Sequence, residues 1–538
     1  MRLLILNVVP TVNPNTNEKR SLMRSSKETL ELKKILSNDK LSNVEVYKLL
    51  DHELTKLIGN FESIDSNSRQ EIVTEIEQLI SDYKNWEIYL TSFLLTCTKD
   101  QKFLDDIFES IEKEVLIEAL HFIYWQITSL LFTTPKLKTE QNTNRLRRIY
   151  RKYFEYFNNQ IANERNWIPY EERNQDLVVV VAGQILSISH SPTQVALDHC
   201  KALDNLKKNI FLINTADMPR SIVTPYFETD LSNYVEKYNQ TDKLVYENLS
   251  FSFFQCKKQM PNGNQITELI QMIRHLKPLF VLSISGSNVS ADLFSNFVPV
   301  ITLPLAYDLP FSESTFSILP RKLNAADLNT LEDLDRSRES VIESVFTYKY
   351  TPPQTKMHRE YWGLGEDNFV LAIVGNRLDT ELDDSFLTEL DDLLKCNDHA
   401  RIMFIGDLKN YKKITNRYIT LDKQSVHVGA QKDLAAVYEV CDAYLNTFRS
   451  GGGTSAAIAL RQGLPVFTYA FGDVAHTAGE HYHINSFDDV NTFIKNWENP
   501  VFREHEKSVA ISRASEIFDS EKVMKEIIET MTKSPHFY

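Results

Sequence analysis

Five residues in a row, Gly451, Gly452, Gly453, Thr454 and Ser455, open a run of good helix formers that ends at Gly463 and passes through Pro465 into a β-like segment. Glycines ahead of a helix let the backbone take a positive φ and let a ligand come close. The free N–H groups and hydroxyls of the helix start suit a phosphate or another anion. A tight strand-to-helix turn with an ordinary cap is the other reading of the same residues. No GK[ST] follows the glycines and the spacing is not GxGxxG, so this is neither a Walker A loop nor a dinucleotide fingerprint. A second loop, GNRLDTE (Gly375–Glu381), places Asn376 and Arg377 just past a strand end, where a guanidinium can grip a diphosphate bidentately.

Other residues supply further chemistry. His190 follows a strongly apolar strand, and histidine is the side chain best tuned to take a proton near neutral pH. Ser285, Gly286 and Asn288 lie in a small-residue strand-to-helix loop, SISGSNVSADL. Asp473 and His476 follow the strand after the glycine helix. Metal chemistry finds little support: the acids of LEDLDRS (331–337) fit a solvated helical face, and the His481/His483 pair lacks a third convincing ligand. The expected metal set is empty.

The elements that must hold these residues fall into three regions. Residues 1–170 read as a mostly helical domain, with Ile72, Ile76, Leu79, Ile80 and Tyr83 recurring on one helix face. In RLRRIYRKYFEYFNNQIA the basic residues read as a solvated face. The most apolar stretch, Val115–Phe132, contains Glu118, His121 and Gln126 and reads as a buried helix, not a membrane span. From 171 to 350, apolar strands such as DLVVVVA, NIFLIN, LFVLSI and VPVITL alternate with helical segments, the pattern of βαβ units in a parallel sheet. After a linker-like stretch, TYKYTPPQTKMHREYWGLGEDN, residues 351–538 repeat that alternation with FVLAIVG, ARIMFIG, QSVHVG, CDAYLN and LPVFTY. The expected fold is α/β: two Rossmann-like domains facing a cleft, preceded by the helical domain.

Composition narrows the classes further. A formal charge of −14 argues against a nucleic-acid binder or a coat on anionic membrane. The five cysteines form no CxxC pair and fit a reduced compartment. The opening MRLLILNVVPTVNPN is too short and too weakly basic for a secretory signal and reads as a buried strand. A cytoplasmic protein without a transmembrane segment is expected, and in that compartment the sequons at Asn248 and Asn288 carry no meaning.

Taken together, these motifs resemble the GT-B glycosyltransferases over about two-thirds of the chain, from near Asp176 onward. GGTS…ALRQGLPV is similar to the donor loop and helix of the O-GlcNAc transferase family and its bacterial protein-glycosylating relatives. SHSPTQVALDH is similar to their His-Pro-Thr motif, with Ser191 inserted. The resemblance implies a metal-independent, inverting hexosyl- or N-acetylhexosaminyltransferase with no cofactor, using a nucleotide-sugar, a UDP-sugar by expectation, and a protein or surface-glycan acceptor. It makes Gly452, Gly453, Thr454 and Ser455 donor-diphosphate contacts, Arg377 with Asn376 the cation side of that site, and His190 a residue of the active cleft. From their own positions Gly451, Asp473 and His476 join the expected donor site, His190 is the expected base, and Ser285, Gly286 and Asn288 would face the acceptor. The chain departs from the pattern at Ile458, where those relatives carry a ribose-binding aspartate and the large retaining group a glutamate. A catalytically silent GT-B subunit that holds an acceptor protein for an active partner is the alternative, and a sugar-nucleotide epimerase a third. Either enzyme or subunit is compatible with a homo- or hetero-oligomer.

Overall fold

The computed structural model describes residues 27–61, 63–112, 116–162, 165–188, 190–220, 227 and 234–538. The opening stretch read as a strand lies outside them. Described residues up to Ile107 form one compact unit and those from Phe108 onward a second.

The first unit is helical: α1 (Lys27–Leu36), α2 (Asn43–Phe61), α3 (Ser66–Asp82), α4 (Glu87–Thr98) and the start of α5 (Gln101–Glu112). Val46, Leu50, Leu54, Leu57 and Phe61 of α2 recur every three or four residues and are all buried, as an amphipathic helix requires. In α3 the buried stripe is Ile72, Val73, Ile76 and Leu79. Asp65 caps it by accepting from the N–H groups of Asn67 and Ser68.

After the end of α5, the second unit continues with two helices from the stretch expected to be accessory, α6 (Ile117–Thr133) and α7 (Glu140–Gln160), which pack on each other. The buried-helix reading of Val115–Phe132 holds from Ile117, with Leu120, Ile123 and Ile127 fully buried. The solvated-face reading of α7 fails at Arg147, which is 5% exposed. Its guanidinium donates to the carbonyls of Pro310 (2.6 Å) and Leu309 (3.1 Å) and lies over the Phe311 ring. Tyr150 of the same helix bonds the buried Asp292. These contacts fasten α7 to the sheet domain that follows.

That domain is an eight-stranded sheet: β1 (Asn174–Ala182), β2 (Asn209–Asn214), β3 (Lys243–Tyr246), β4 (Leu249–Gln255), β5 (Pro278–Ile284), β6 (Val300–Leu303), β7 (Phe316–Leu319) and β8 (Val341–Glu343). The spatial order is β3-β4-β2-β1-β5-β6-β7-β8, parallel except for β3. Val178–Ala182 of β1 are all buried, as a strand covered on both faces must be. The helices here are α8 (Ser191–Asn205), α9 (Gly263–Leu276), α10 (Val289–Phe294) and α11 (Ala325–Asp333).

A second, five-stranded sheet follows: β9 (Phe369–Gly375), β10 (Ala400–Gly406), β11 (Ser425–His427), β12 (Ala443–Leu445) and β13 (Val466–Phe467), in the order β11-β10-β9-β12-β13 and all parallel. Its helices are α12 (Leu378–Glu381), α13 (Asp384–Lys395), α14 (Tyr411–Thr415), α15 (Ile419–Lys423), α16 (Leu434–Tyr438), α17 (Gly453–Arg461), α18 (Gly472–Ala478), α19 (Phe487–Asn496), α20 (Pro500–Ile517) and α21 (Ser520–Met531). The chain is therefore α/β, with two Rossmann-like parallel sheets after a helical region. The linker-like stretch between the sheets is not a loose tether: Tyr348 is buried in a core cluster that draws on both sheets. No helix among the described residues is long and apolar enough to cross a membrane.

Candidate active cleft

In each sheet the order of the parallel strands reverses at the first of them. β1 has β2 on one side and β5 on the other; β9 has β10 and β12. Loops leaving such strands diverge and open a crevice at the carboxyl edge. The loop after β9 carries Asn376 and Arg377, and the one after β12 runs through the glycines into α17. The loop after β1 carries His190 ahead of α8. Together they border a cleft of about 770 Å3, walled by His190, Asn376, Arg377, Gly451–Gly453, Thr454, Ser455 and Asp473, with Ile458 from α17.

The starts of two helices meet in this cleft. α17 has Gly452 as its N-cap, at φ +108°, and α8 has His190; neither is capped by a side chain. The hydroxyls of Ser191 and Thr454 are hydrogen-bonded at 3.1 Å, which brings the two first turns together. Both positive dipole ends therefore bear on one place. Ser455 Oγ turns inward and donates to the Gly452 carbonyl at 2.8 Å.

Among the three glycines the positive φ occurs at Gly452 alone. The close approach is made by the chain's own side chains. A Cβ on Gly451 would stand 2.8 Å from Phe132 Cζ, and one on Gly452 2.6 Å from Arg449 Nη2. On Gly453 it would collide with the Tyr348 hydroxyl. The glycines thus make room for packing, and the loop presents the uncapped helix start and Thr454 to the cleft.

Sequence reasoning passed over Arg449 and Glu381. Arg449 is 6% exposed and lines the cleft wall. Its guanidinium reaches Asn446 Oδ1 (3.0 Å), Tyr444 Oη (2.7 Å) and Glu381 Oε2 (3.0 Å). The other oxygen of Glu381 pairs with Arg377 Nη2 at 3.3 Å. One buried carboxylate so holds two arginines, while Arg377 stays exposed at the rim and lies over the Phe132 ring. The i,i+4 spacing of Arg377 and Glu381 was a legible signal for that pair.

His190 is half-buried, and burial lowers its pKa below the usual histidine value. Its Nδ1 lies 2.9 Å from Thr193 Oγ1, which accepts from the Leu186 N–H. In the tautomer where Nδ1–H donates to Thr193, Nε2 is unprotonated; where the Thr193 hydroxyl donates to Nδ1, Nε2 carries the proton. Asp473 borders both this cleft and an adjoining smaller cavity. Burial, then the charge of Asp308, pushes its carboxyl up to about 7. Ser285 and Gly286 line the smaller cavity. His476 and Asn288 are not in the wall of either. His476 stacks on Tyr307 with ring centroids 4.8 Å apart, and Asn288 caps α10 by accepting from the Ala291 N–H. Among the described residues no three His, Cys, Asp or Glu side chains stand together as a metal-ion site.

An α/β protein with two Rossmann-like sheets and a polar cleft at their carboxyl edges is the class this fold defines. Glycosyltransferases are among the solved structures this chain resembles. They include a glycosyltransferase from Rickettsia africae ESF-5, at 11% identity, covering 67% of this chain and 98% of that one with a TM-score of 0.47. A mutant O-GlcNAc transferase of Thermobaculum terrenum matches at 12% identity over 94% of this chain and 98% of its own, TM-score 0.45. The pneumococcal O-GlcNAc transferase GtfA, in complex with UDP and GlcNAc, matches at 11% identity over 67% and 99%, TM-score 0.43. No protein-family model and no curated protein matches the sequence. Likeness at this level concerns the path of the chain, and no residue role is transferred from it.

Proposed function

We propose that the protein transfers a sugar from a nucleotide-sugar, a UDP-sugar, to an acceptor hydroxyl on a protein or glycan, without a metal and with inversion. The observation that carries this reading is the meeting of two uncapped helix starts in a cleft rimmed by Arg377. Fixed N–H donors and a guanidinium stabilise the charge that builds on a departing diphosphate, and preorganised donors need no reorganisation as it develops. The acceptor O–H breaks with its proton passing to His190 Nε2. The new O–C1 bond forms as the bond from C1 to the phosphate oxygen breaks. Because burial holds His190 below the usual histidine range, it is neutral and able to accept at pH 7, and transfer declines as pH falls through that lowered pKa.

The test is calorimetric titration of the full chain with UDP, GDP, CDP and TDP and their common sugar conjugates. One diphosphate is expected to saturate, and Arg377→Ala to weaken it by about 10-fold or more, since a hydrogen bond to a charged group contributes roughly 1.5–3 kcal/mol. His190→Ala should keep donor binding and lose transfer. Arg377→Ala with wild-type affinity would sink the donor site.

A second reading has its own observation. Ile458 puts an apolar side chain in the cleft wall where the resembled families carry an acid, and the Ser191–Thr454 bond already joins the two helix starts. A silent subunit that holds an acceptor protein would show this, and no binding of any nucleotide would favour it.

A further inference from the structure

Beside the cleft, at the strand-order reversal of the first sheet, lies a cavity of about 300 Å3. The chain after β1 (Gly183, Gln184), after β5 (Ser285–Ser287) and after β6 (Pro304–Phe311) supplies much of its wall; α6 and α7 add to it, with Asp217 and Met218 after β2, and Ser450 and Asp473 from the second-sheet side. It shares Phe132, Pro192, Leu305 and Asp473 with the cleft, so the two spaces adjoin.

The wall's polar side chains are largely engaged with one another. Ser285 Oγ donates to the Ser287 carbonyl at 3.0 Å, and the Ser287 and Tyr124 hydroxyls bond at 2.6 Å. Thr128 Oγ1 donates to the Tyr124 carbonyl at 2.8 Å, and Lys138 pairs with Asp308 at 2.7 Å. What the cavity offers a ligand is apolar surface, chiefly the rings of Trp125, Phe132 and Phe311 with Leu131, Leu146 and Leu305. The carboxyls of Asp217 and Asp473 and the hydroxyl of Ser450, which has no hydrogen-bond partner among the described residues, are the polar exceptions. A glycan entering here would bury several hydroxyls without partners, each at a cost. A flat ring with one hydroxyl fits the same wall, edge or face against the aromatic rings.

We infer that this cavity receives a phenolic group, its ring against Trp125, Phe132 and Phe311 and its single hydroxyl toward Asp473, where the two spaces meet. The catalytic meaning of this site rests on the transfer reaction proposed above, whose acceptor it narrows away from glycans; the binding itself does not depend on that reaction. The phenol has two sources, a free small aglycone or the side chain of a tyrosine in a peptide.

Gly286 provides the test, because a Cβ there would meet nothing within 4 Å although the residue lines the cavity. The full chain is titrated calorimetrically with p-cresol, with the peptide acetyl-Gly-Tyr-Gly-amide, with 1-octanol and with N-acetylglucosamine, and separately with the nucleoside diphosphates. Saturable p-cresol binding is expected, weakened at least tenfold in Gly286→Phe, with quenching of Trp125 fluorescence that is absent in Trp125→Phe. Peptide binding alongside p-cresol assigns the tyrosine source; p-cresol alone assigns the free phenol. Absence of p-cresol binding in a protein that still binds a nucleoside diphosphate overturns the inference and leaves the transferase reading standing. Binding of p-cresol without any nucleotide does the reverse. Tighter binding of octanol or N-acetylglucosamine overturns the ligand class, and p-cresol affinity unchanged in both variants overturns the location.

Discussion

Glu381 serves two arginines that differ sharply in burial, and the difference sets what each is worth. The Arg449 and Glu381 side chains are 7% and 9% exposed, whereas Arg377 is 43% exposed. Removing one partner of a buried pair leaves the other charge unpaired, so Glu381→Ala should cost about 3–5 kcal/mol in urea denaturation. Arg377→Ala, at an exposed pair, should cost about 1 kcal/mol or less. Equal losses in the two variants would refute the assignment of Glu381 as the buried anchor. Asp473 gives a second prediction at this scale. Its folded pKa, raised to about 7 chiefly by burial, means the fold prefers the neutral acid. Its contribution is therefore fully present below about pH 4 and is lost as pH rises through 7, with a slope approaching about 1.4 kcal/mol per pH between those limits. Asp473→Asn should match the wild type at pH 4 and exceed it in unfolding free energy at pH 8; parallel pH profiles would count against this. The exposed members of the cleft, Arg377 and Asn376, were legible because strand ends and glycines mark them. Arg449 was not, because only the fold brings a loop arginine onto a carboxylate 68 residues earlier in the chain.

At the scale of elements, the first residue of α17 packs against a hydroxyl cluster. The Tyr348 hydroxyl bonds Thr477 Oγ1 of α18 at 2.8 Å and Tyr307 Oη at 3.2 Å, while Thr477 also donates to the Asp473 carbonyl at 2.8 Å. That same Tyr348 hydroxyl fills the space beside Gly453. Gly453→Ala should therefore destabilise by about 1–3 kcal/mol through overpacking. Tyr348→Phe, which removes the colliding oxygen, should recover part of the loss, so that the double variant is less destabilised than the sum of the single ones. Strict additivity in a thermal-denaturation cycle would show that the two groups do not meet. The strand-to-helix alternation around α17 was readable from apolar runs and glycine punctuation, and all five strands of the second sheet fall where those runs are. β3, β4, β7 and β8 do not read as strands, because KLVY, LSFSFFQ, FSIL and VIE mix polar or charged residues with the apolar ones and present no continuous apolar run. The glycines line the cleft as expected of a site loop, and they also accommodate side chains that the sequence did not indicate. A glycine announces that something comes close, and the sequence does not say whether that is a ligand or a side chain from far earlier in the chain, as Phe132 is to Gly451.

Across the second unit, the two sheets are bound into one body by more than the cleft. A single apolar cluster takes in Val180 and Phe280 of the first sheet and Val370 and Met403 of the second. The connecting stretch passes through it at Phe346 and Tyr348. After the second sheet, α21 returns to pack on α8, where Asn205 Nδ2 donates to Glu521 Oε2 at 2.9 Å and Ser520 bonds Asp198. Arg173 then donates to the carbonyls of Phe537 (2.6 Å) and Tyr538 (3.0 Å), beside Trp167 Nε1 on the latter at 2.7 Å. The alternation of strands and helices could not reveal this closure, because an amphipathic helix does not name the surface it covers. The closure has a consequence for stability: damage to α21 should be felt in both sheets. Met524 is fully buried in α21, and Met524→Ala should cost about 2–5 kcal/mol. Hydrogen exchange of the full chain should then show the amides of β1 and β9 losing protection together, as one cooperative unit does. Loss confined to β9, with β1 as protected as before, would mean that the sheets unfold separately and that the return of α21 is only a surface contact.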